Sequence, residues 1–284
     1  MATRSTTPVR QTRGPRPGRA GRILRRLGAA ALVLALGAAY VWQRTLPLRR
    51  VAVTGTVHAD ADEIVRLTGA RPDSDAVFSL SPALVADRAQ RHPWVRTAHV
   101  RRLPTGTLSV RVEERVPVVL VMRAGRPAGY LDADGVALPL DAASDSGVVP
   151  YDVPLLTGAV PDVAPGGRVA SASLRETLAA LAAADDATDA LVSEVEWHPS
   201  GRAVLWTTPA GGHPSVPVRL GRTGVADQLA RLRAFWDQSV LPRPRARFRS
   251  VDLRFEGQVV TQEGRPPAPD SSRSAPGRST PAAG

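Results

Sequence analysis

HPWVRTAHVRRLPTGTLSVRVEERVP, His92 to Pro117, is the stretch whose reading decides the fold. Its first arm carries Val95, Ala98 and Val100. After Pro104-Thr105-Gly106 the second arm alternates Leu108, Val110 and Val112 against Ser109, Arg111 and Glu113. A period of two on both sides of a turn predicts a half-buried antiparallel hairpin. Two strands cannot stand alone in water, so the apolar face needs a cover.

The preceding residues supply one. LRRVAVTGTVHADADEIVRLTGA, Leu48 to Ala70, opens with a strand in which Val51 and Val53 share a face and Gly55 ends the run. A helix follows: Asp60 is its cap, Glu63 the returning partner of a capping box, and Ala61, Ile64, Val65 and Thr68 its apolar positions. Ser81-Pro82 starts a second helix with proline at the first helical position, where its missing N–H costs nothing. Pro93 closes it. The order strand, helix, helix, strand, strand predicts two helices covering one face of a three-stranded sheet.

Composition limits the chemistry. The chain of 284 residues has room for one or two domains and contains no Cys and no Lys. Lysine-dependent P-loops, Schiff bases and Ser-Lys dyads are excluded, as are thiol nucleophiles, thiolate metal sites and disulfides. The net charge of +11 is unevenly distributed: Met1 to Arg26 holds eight Arg and no acid, whereas Thr45 to Glu263 has 25 Arg against 25 Asp plus Glu. A neutral body has no basic surplus from which to build a nucleic-acid footprint.

The Arg-rich start flanks Leu27 to Gln43, seventeen residues without a charge. Leu27, Leu32 and Leu36 represent its apolar surface, Tyr40 and Trp42 an aromatic belt, and Arg25, Arg26 and Arg44 can snorkel to the two interfaces. The charge asymmetry predicts a single-pass type II protein, with the N-terminus cytoplasmic and the rest outside. A cleaved signal peptide ending near Gly37 and Ala39 is the rival reading. The long basic region and the apolar run through Tyr40-Val41-Trp42 favour the anchor.

At this point a resemblance becomes specific. VAVTG, DEIVRLTG and the hairpin stretch are similar to the POTRA domain of the FtsQ family of bacterial cell-division proteins, called DivIB in some lineages. The matching positions include Gly55, Pro93, Trp94, Val95, Ala98, Val100, Arg101, Pro104, Leu108, Val110, Val112, Glu114, Arg115 and Pro117. His92 and the additional turn residue Gly106 depart from the family's pattern without disturbing the alternation.

The resemblance implies an α+β organisation. A cytoplasmic Arg-rich tail (1–26) and a transmembrane helix (27–44) precede a POTRA domain (47–115), a second extracytoplasmic mixed α/β "β-domain" (116–262) and a disordered tail (263–284). The second domain is expected to contain a pair of strands over Val116–Arg123 and Ala128–Asp132, and a turn at Asp132-Ala133-Asp134-Gly135 leading into Val136–Leu140. A capping box at Ser173 and Glu176 precedes a helix, and a hairpin brackets His198-Pro199-Ser200-Gly201. Strand Val216–Leu220 is followed by a helix with Val225, Leu229, Leu232 and Trp236 on one stripe. DADG does not meet the spacing of a calcium loop.

No catalytic pattern is present. The five His are scattered without metal-ligand spacing, no nucleophile elbow or zinc-protease motif occurs, and the adjacent acids Glu113-Glu114 and Asp185-Asp186 read as solvated faces. Trp94, Trp197, Trp206 and Trp236 read as packing residues.

Two functional classes follow. The first is a non-catalytic scaffold of the division machinery at the septum, without cofactor, metal, nucleic acid or small-molecule substrate. The alternative is a membrane-anchored extracytoplasmic cell-wall enzyme. An outer-membrane transporter is disfavoured, because too few residues follow the POTRA unit to build its barrel. The resemblance further implies that the POTRA domain recruits membrane division proteins. It also implies that the small bitopic partners FtsB (DivIC) and FtsL dock on the final strand pair, matched here by Val251, Asp252, Leu253, Arg254, Phe255, Glu256 and Gly257. A terminal strand is expected at a sheet edge, open to a partner's strand. Phe255 can serve as an interface anchor or pack in the core; alternation allows both.

Overall fold

The structure, a computed structural model, describes residues 19–140, 151–210, 212–243 and 246–264. Most of the two expected tails, 1–18 and 265–284, lies outside the described residues. Helix α1 (Arg19–Thr45) is 27 residues long and takes up the last residues of the expected N-terminal tail. Within it Leu24–Trp42 is long and apolar enough to cross a membrane, and none of that window is buried in the protein. Leu27, Leu32, Leu36, Tyr40 and Trp42 are all more than half exposed. An apolar helix that leaves these side chains exposed fits a bilayer anchor.

Beyond the anchor comes the predicted unit: β1 (Arg50–Thr54), α2 (Ala61–Thr68), α3 (Pro82–Ala89), β2 (Val95–Leu103) and β3 (Thr107–Glu114). The sheet order is β1-β3-β2, with β1 parallel and β2 antiparallel to β3. Asp60 caps α2 by accepting from the Asp62 N–H, and Ser81 caps α3 ahead of Pro82. Glu63 lies 3.5 Å from His92 Nε2 instead of returning a bond to the cap. Helices α2 and α3 cover the apolar face, where Leu48, Ile64, Val85, Leu108 and Val110 are fully or almost fully buried. Gly55 ends β1 at φ +89, and a Cβ there would collide with the Val112 carbonyl. Glycine is therefore required at that position.

The second unit is one nine-stranded mixed sheet of order β12-β11-β10-β9-β8-β7-β4-β5-β6. Its strands are β4 (Pro117–Arg123), β5 (Arg126–Asp132), β6 (Ala137–Leu138), β7 (Leu155–Gly158), β8 (Val192–Trp197), β9 (Ala203–Thr207), β10 (Pro217–Arg219), β11 (Phe248–Asp252) and β12 (Val260–Glu263). Helices α4 (Ala172–Ala182) and α6 (Val225–Phe235), with the short α5 (Asp186–Asp189), accompany it. Val119, Val121, Leu156, Val195, Leu205, Val218 and Val251 meet Leu174, Leu178, Leu229, Leu232 and Trp236 in one core.

Several expectations shift in detail. The cap of α4 is Ser171, whose Oγ accepts from the Leu174 N–H; the Glu176 carboxylate accepts from the Gly224 N–H at 2.6 Å. The expected Val136–Leu140 strand shrinks to Ala137–Leu138, and β7 was not foreseen. Gly158 ends β7 at φ +84, where a Cβ would meet the Trp197 carbonyl.

The two units do not keep separate cores. Leu120, Tyr130, Val136 and Leu138 from the first strands of the large sheet share a buried cluster with Leu48, Ile64, Trp94 and Val112 of the first unit. One face of β4, β5 and β6 is thus covered by the smaller unit, and the opposite face of the sheet by α4 and α6.

Candidate docking edge and the junction behind it

The terminal strands are built differently from the sequence expectation. Val251 to Phe255 does not form the edge: β11 ends at Asp252 and lies inside the sheet, parallel to β10 and antiparallel to β12. The extended run stops because Asp252 turns its carboxylate back on the chain. It accepts from the Arg254 N–H at 3.1 Å, and from the guanidinium at 2.9 Å (Nε) and 2.6 Å (Nη2). This fork holds the Asp252 carboxyl below the ordinary carboxylate range, against the opposing effect of its burial. A turn follows, closed by the Gln258 N–H on the Phe255 carbonyl.

The seven candidate residues therefore divide. Val251 and Leu253 have no exposed surface and Asp252 is 7% exposed, so they belong to the sheet and its core. The Leu253 N–H donates to the Arg219 carbonyl, and its own carbonyl accepts from Arg231 Nη2 at 2.9 Å. Arg254, Glu256 and Gly257 face solvent, and Phe255 is 52% exposed. The outer strand among the described residues is β12, four residues paired there to β11 alone, with Val260 42% exposed.

Several residues of the hairpin stretch serve the junction between the units. Trp94 is 2% exposed, stacks on His58 with ring centroids 5.0 Å apart, and packs against Tyr130 and Tyr151 from the larger unit. Pro93 is half-buried, close to Gly166; Val95 is fully buried and Pro104 exposed in the β2–β3 turn. Pro117 opens β4 opposite Asp132.

Glu114 is not a solvated acid, as its neighbour Glu113 had suggested. Its side chain is 11% exposed and accepts from the N–H groups of Val57 (2.8 Å), His58 (3.0 Å) and Ala59 (2.9 Å), with His58 Nδ1 at 3.0 Å. Burial pushes this carboxyl up, but the Ala59 and Val57 N–H groups and the His58 contacts outweigh it and hold the carboxyl below its ordinary range.

Arg115 continues the link. Its Nη1 donates to Asp132 Oδ2 at 2.7 Å and lies 3.5 Å from Asp134 Oδ2. Arg96 and Arg168 each approach Asp134 at 3.8 Å. Asp132 also shapes the DADG turn by accepting from the N–H groups of Asp134 and Val136. Sequence reasoning found the turn and missed the second duty of its carboxylates; the signal was Glu-Arg-x-Pro directly before a strand whose partner ends in DADG. Among the described residues, no three His, Asp or Glu side chains converge where a metal could sit.

Residues 46–115 match the POTRA domain of FtsQ type, and residues 121–254 match the C-terminal domain of the cell division protein FtsQ/DivIB. The chain belongs to the FtsQ/DivIB family of cell division proteins. It is 45% identical over 274 residues to the cell division protein FtsQ of Rhodothermus marinus, covering 96% of this chain and 98% of that one. Against FtsQ of Salinibacter ruber it is 41% identical over 236 residues, covering 81% of this chain and 88% of the relative. A solved extracytoplasmic domain of DivIB from Geobacillus stearothermophilus aligns at 18% identity with a TM-score of 0.31, covering 45% of this chain and 98% of that one. That likeness adds nothing to the assignment, which rests on the matched domains and the relatives in sequence.

Proposed function

We propose that this FtsQ/DivIB-family protein is a non-catalytic scaffold of the division septum, anchored by α1 with its N-terminus in the cytoplasm. In this reading 1–26 is the cytoplasmic tail and 27–44 the span; 47–115 is a recruiting POTRA unit and 116–262 the docking unit. Small bitopic partners of the FtsB (DivIC) and FtsL kind add a strand to β12 and rest on Arg254, Phe255, Glu256 and Gly257. The observation that carries the reading is the pairing of an edge strand open on one side with a half-exposed Phe255 beside it. Edge backbone supplies hydrogen bonds for an incoming strand, and a large apolar side chain next to it supplies the anchor.

The test is capture of partners from membranes, with crosslinks mapped by mass spectrometry. Phe255→Ala and Glu256→Arg should each weaken capture by roughly 1–3 kcal/mol. Thermal unfolding should barely change, because both residues are exposed. A melting temperature that falls in step with lost binding would show these residues to be structural and move the docking surface elsewhere.

A further inference from the structure

The end of the POTRA unit nearest the anchor carries more positive charge than the fold uses. The chain leaves α1 at Thr45 and reaches Arg49 within four residues, at most about 14 Å of extended chain. That short exit is clamped on both sides. Leu46 and Leu48 bond to the loop at 73–77, with Pro47 facing Ala76 between them: the Leu48 N–H donates to the Asp75 carbonyl at 2.7 Å and the Val77 N–H to the Leu46 carbonyl at 2.9 Å. The Arg49 N–H donates to the Gly106 carbonyl at 2.7 Å, which sets the β2–β3 turn against the exit.

Helix α1, at about 1.5 Å per residue, is roughly 40 Å long, against about 30 Å of hydrocarbon in a bilayer. Its C-terminal end therefore stands in the headgroup layer, with the clamped end of the POTRA unit directly above.

Arg44, Arg49, Arg50, Arg101 and Arg102 surround this end, and all five are exposed. None of them is in an ion pair among the described residues, whereas Arg96, Arg115, Arg168 and Arg254 elsewhere in the body are paired. Arg50 Nε is 3.4 Å from Thr107 Oγ1; Arg102 donates to the Phe78 carbonyl at 2.9 Å and lies over the Phe78 ring. The acids nearby are Asp73 and Asp75, and the Asp75 carboxylate already accepts from the Arg71 N–H. Leu103, 39% exposed, and Pro47 and Pro104 add apolar surface at the same rim.

This charge does not help membrane insertion. Basic residues close to a span on the outer side oppose the orientation that the eight N-terminal Arg favour. Its complement is an anionic surface within reach, and guanidinium groups match phosphate in a bidentate manner.

We propose that this end of the POTRA unit, around Arg49, Arg50, Arg101 and Arg102, binds the anionic phospholipid headgroups of the membrane that holds α1, and so lays the unit on the bilayer. The proposal rests on the reading of α1 as the anchor.

The absence of Cys makes single-site labelling of the full-length protein straightforward. Thr105→Cys, at the turn, and Ala38→Cys, in the anchor, are each given a fluorophore. The protein is placed in nanodiscs of phosphatidylcholine alone or with phosphatidylglycerol, containing nitroxide lipids as quenchers. Acyl-chain nitroxide should quench the Ala38→Cys label equally in both; failure there refutes the anchor and not the headgroup contact.

Headgroup nitroxide should quench the Thr105→Cys label at least about two-fold more with phosphatidylglycerol. The gain should vanish in about 1 M NaCl, where charges are screened beyond roughly 3 Å. It should also vanish in the Arg49→Gln, Arg50→Gln, Arg101→Gln, Arg102→Gln variant with an unchanged melting curve. The salt arm needs no substitution and so stands even if that variant fails to fold. Quenching that is the same in both lipids overturns the proposal and leaves the patch to an acidic protein partner.

Discussion

Replacing Glu114 with Ala should destabilise the smaller unit, and through His58 its seat against Tyr151, more than any single surface contact would suggest. The carboxylate is the shared acceptor for three consecutive N–H groups, those of Val57, His58 and Ala59, and lies 3.0 Å from the His58 ring. A hydrogen bond to a charged group contributes about 1.5–3 kcal/mol net. Val57 is 82% exposed, so water replaces its lost bond cheaply. Counting the two better-buried donors gives about 3–6 kcal/mol for Glu114→Ala. Glu114→Gln keeps one acceptor oxygen and loses the charge, so about half of that is expected.

The pH dependence has a definite sign. The carboxyl titrates below its ordinary value in the folded protein. Its stabilisation is therefore complete above the unfolded value of about 4.3, and is lost as pH falls through the lower folded value. Urea unfolding of the extracytoplasmic region, followed by tryptophan fluorescence at several pH values below neutrality, reads both effects. The wild type should lose stability with acidification more steeply than Glu114→Gln. If Glu114→Ala costs less than about 1 kcal/mol, or if the two pH profiles run parallel, the carboxylate is not the clamp argued here.

Trp94→Ala should cost about 3–5 kcal/mol, because the indole is 2% exposed and belongs to a core shared by both units. Hydrogen exchange should then rise in β4 and β5 as well as in the POTRA sheet; a rise confined to the POTRA sheet would mean that the cores are energetically separate. Gly158→Ala should destabilise by roughly 1–3 kcal/mol, since φ is +84 and the new Cβ meets the Trp197 carbonyl. A calorimetric scan that matches wild type would refute the need for glycine there.

What the sequence made legible was governed by local periodicity and chain chemistry. The POTRA order could be read because alternation over Val95–Val112 and the caps Asp60 and Ser81 are local signals that tertiary packing did not override. The apolar helix was legible for the same reason. The edge was misplaced because alternation through Val251, Leu253 and Phe255 continues past the point where the strand stops. The stop comes from a side-chain fork, Asp252 to Arg254, which carries no periodic signature. Ser173 was taken for the α4 cap that Ser171 provides, since two serines two residues apart satisfy the same pattern. The partners of Glu114 were invisible because they come from the loop after β1, 55 residues earlier in the chain, and that of Asp132 because docking of the units brings Arg115 to it from 17 residues away.

The shared core also bears on the proposed scaffold role. In the nine-stranded sheet, β6 stands at one end beside the POTRA unit and β12 at the other. Eight strand intervals of about 4.8 Å separate them by roughly 38 Å. The proposed docking edge, that far from the smaller unit, is held at a fixed place only if the joint does not bend. The contacts that cross the joint resist bending: Trp94 packs against Tyr130 and Tyr151, Arg115 is held by Asp132, and His58, whose backbone Glu114 pins, meets Tyr151. The motif residues Trp94, Glu114 and Arg115 therefore serve orientation before recognition. They fix where β12 stands, and under the proposed function a partner that is itself anchored in the membrane meets that strand only at a matching height.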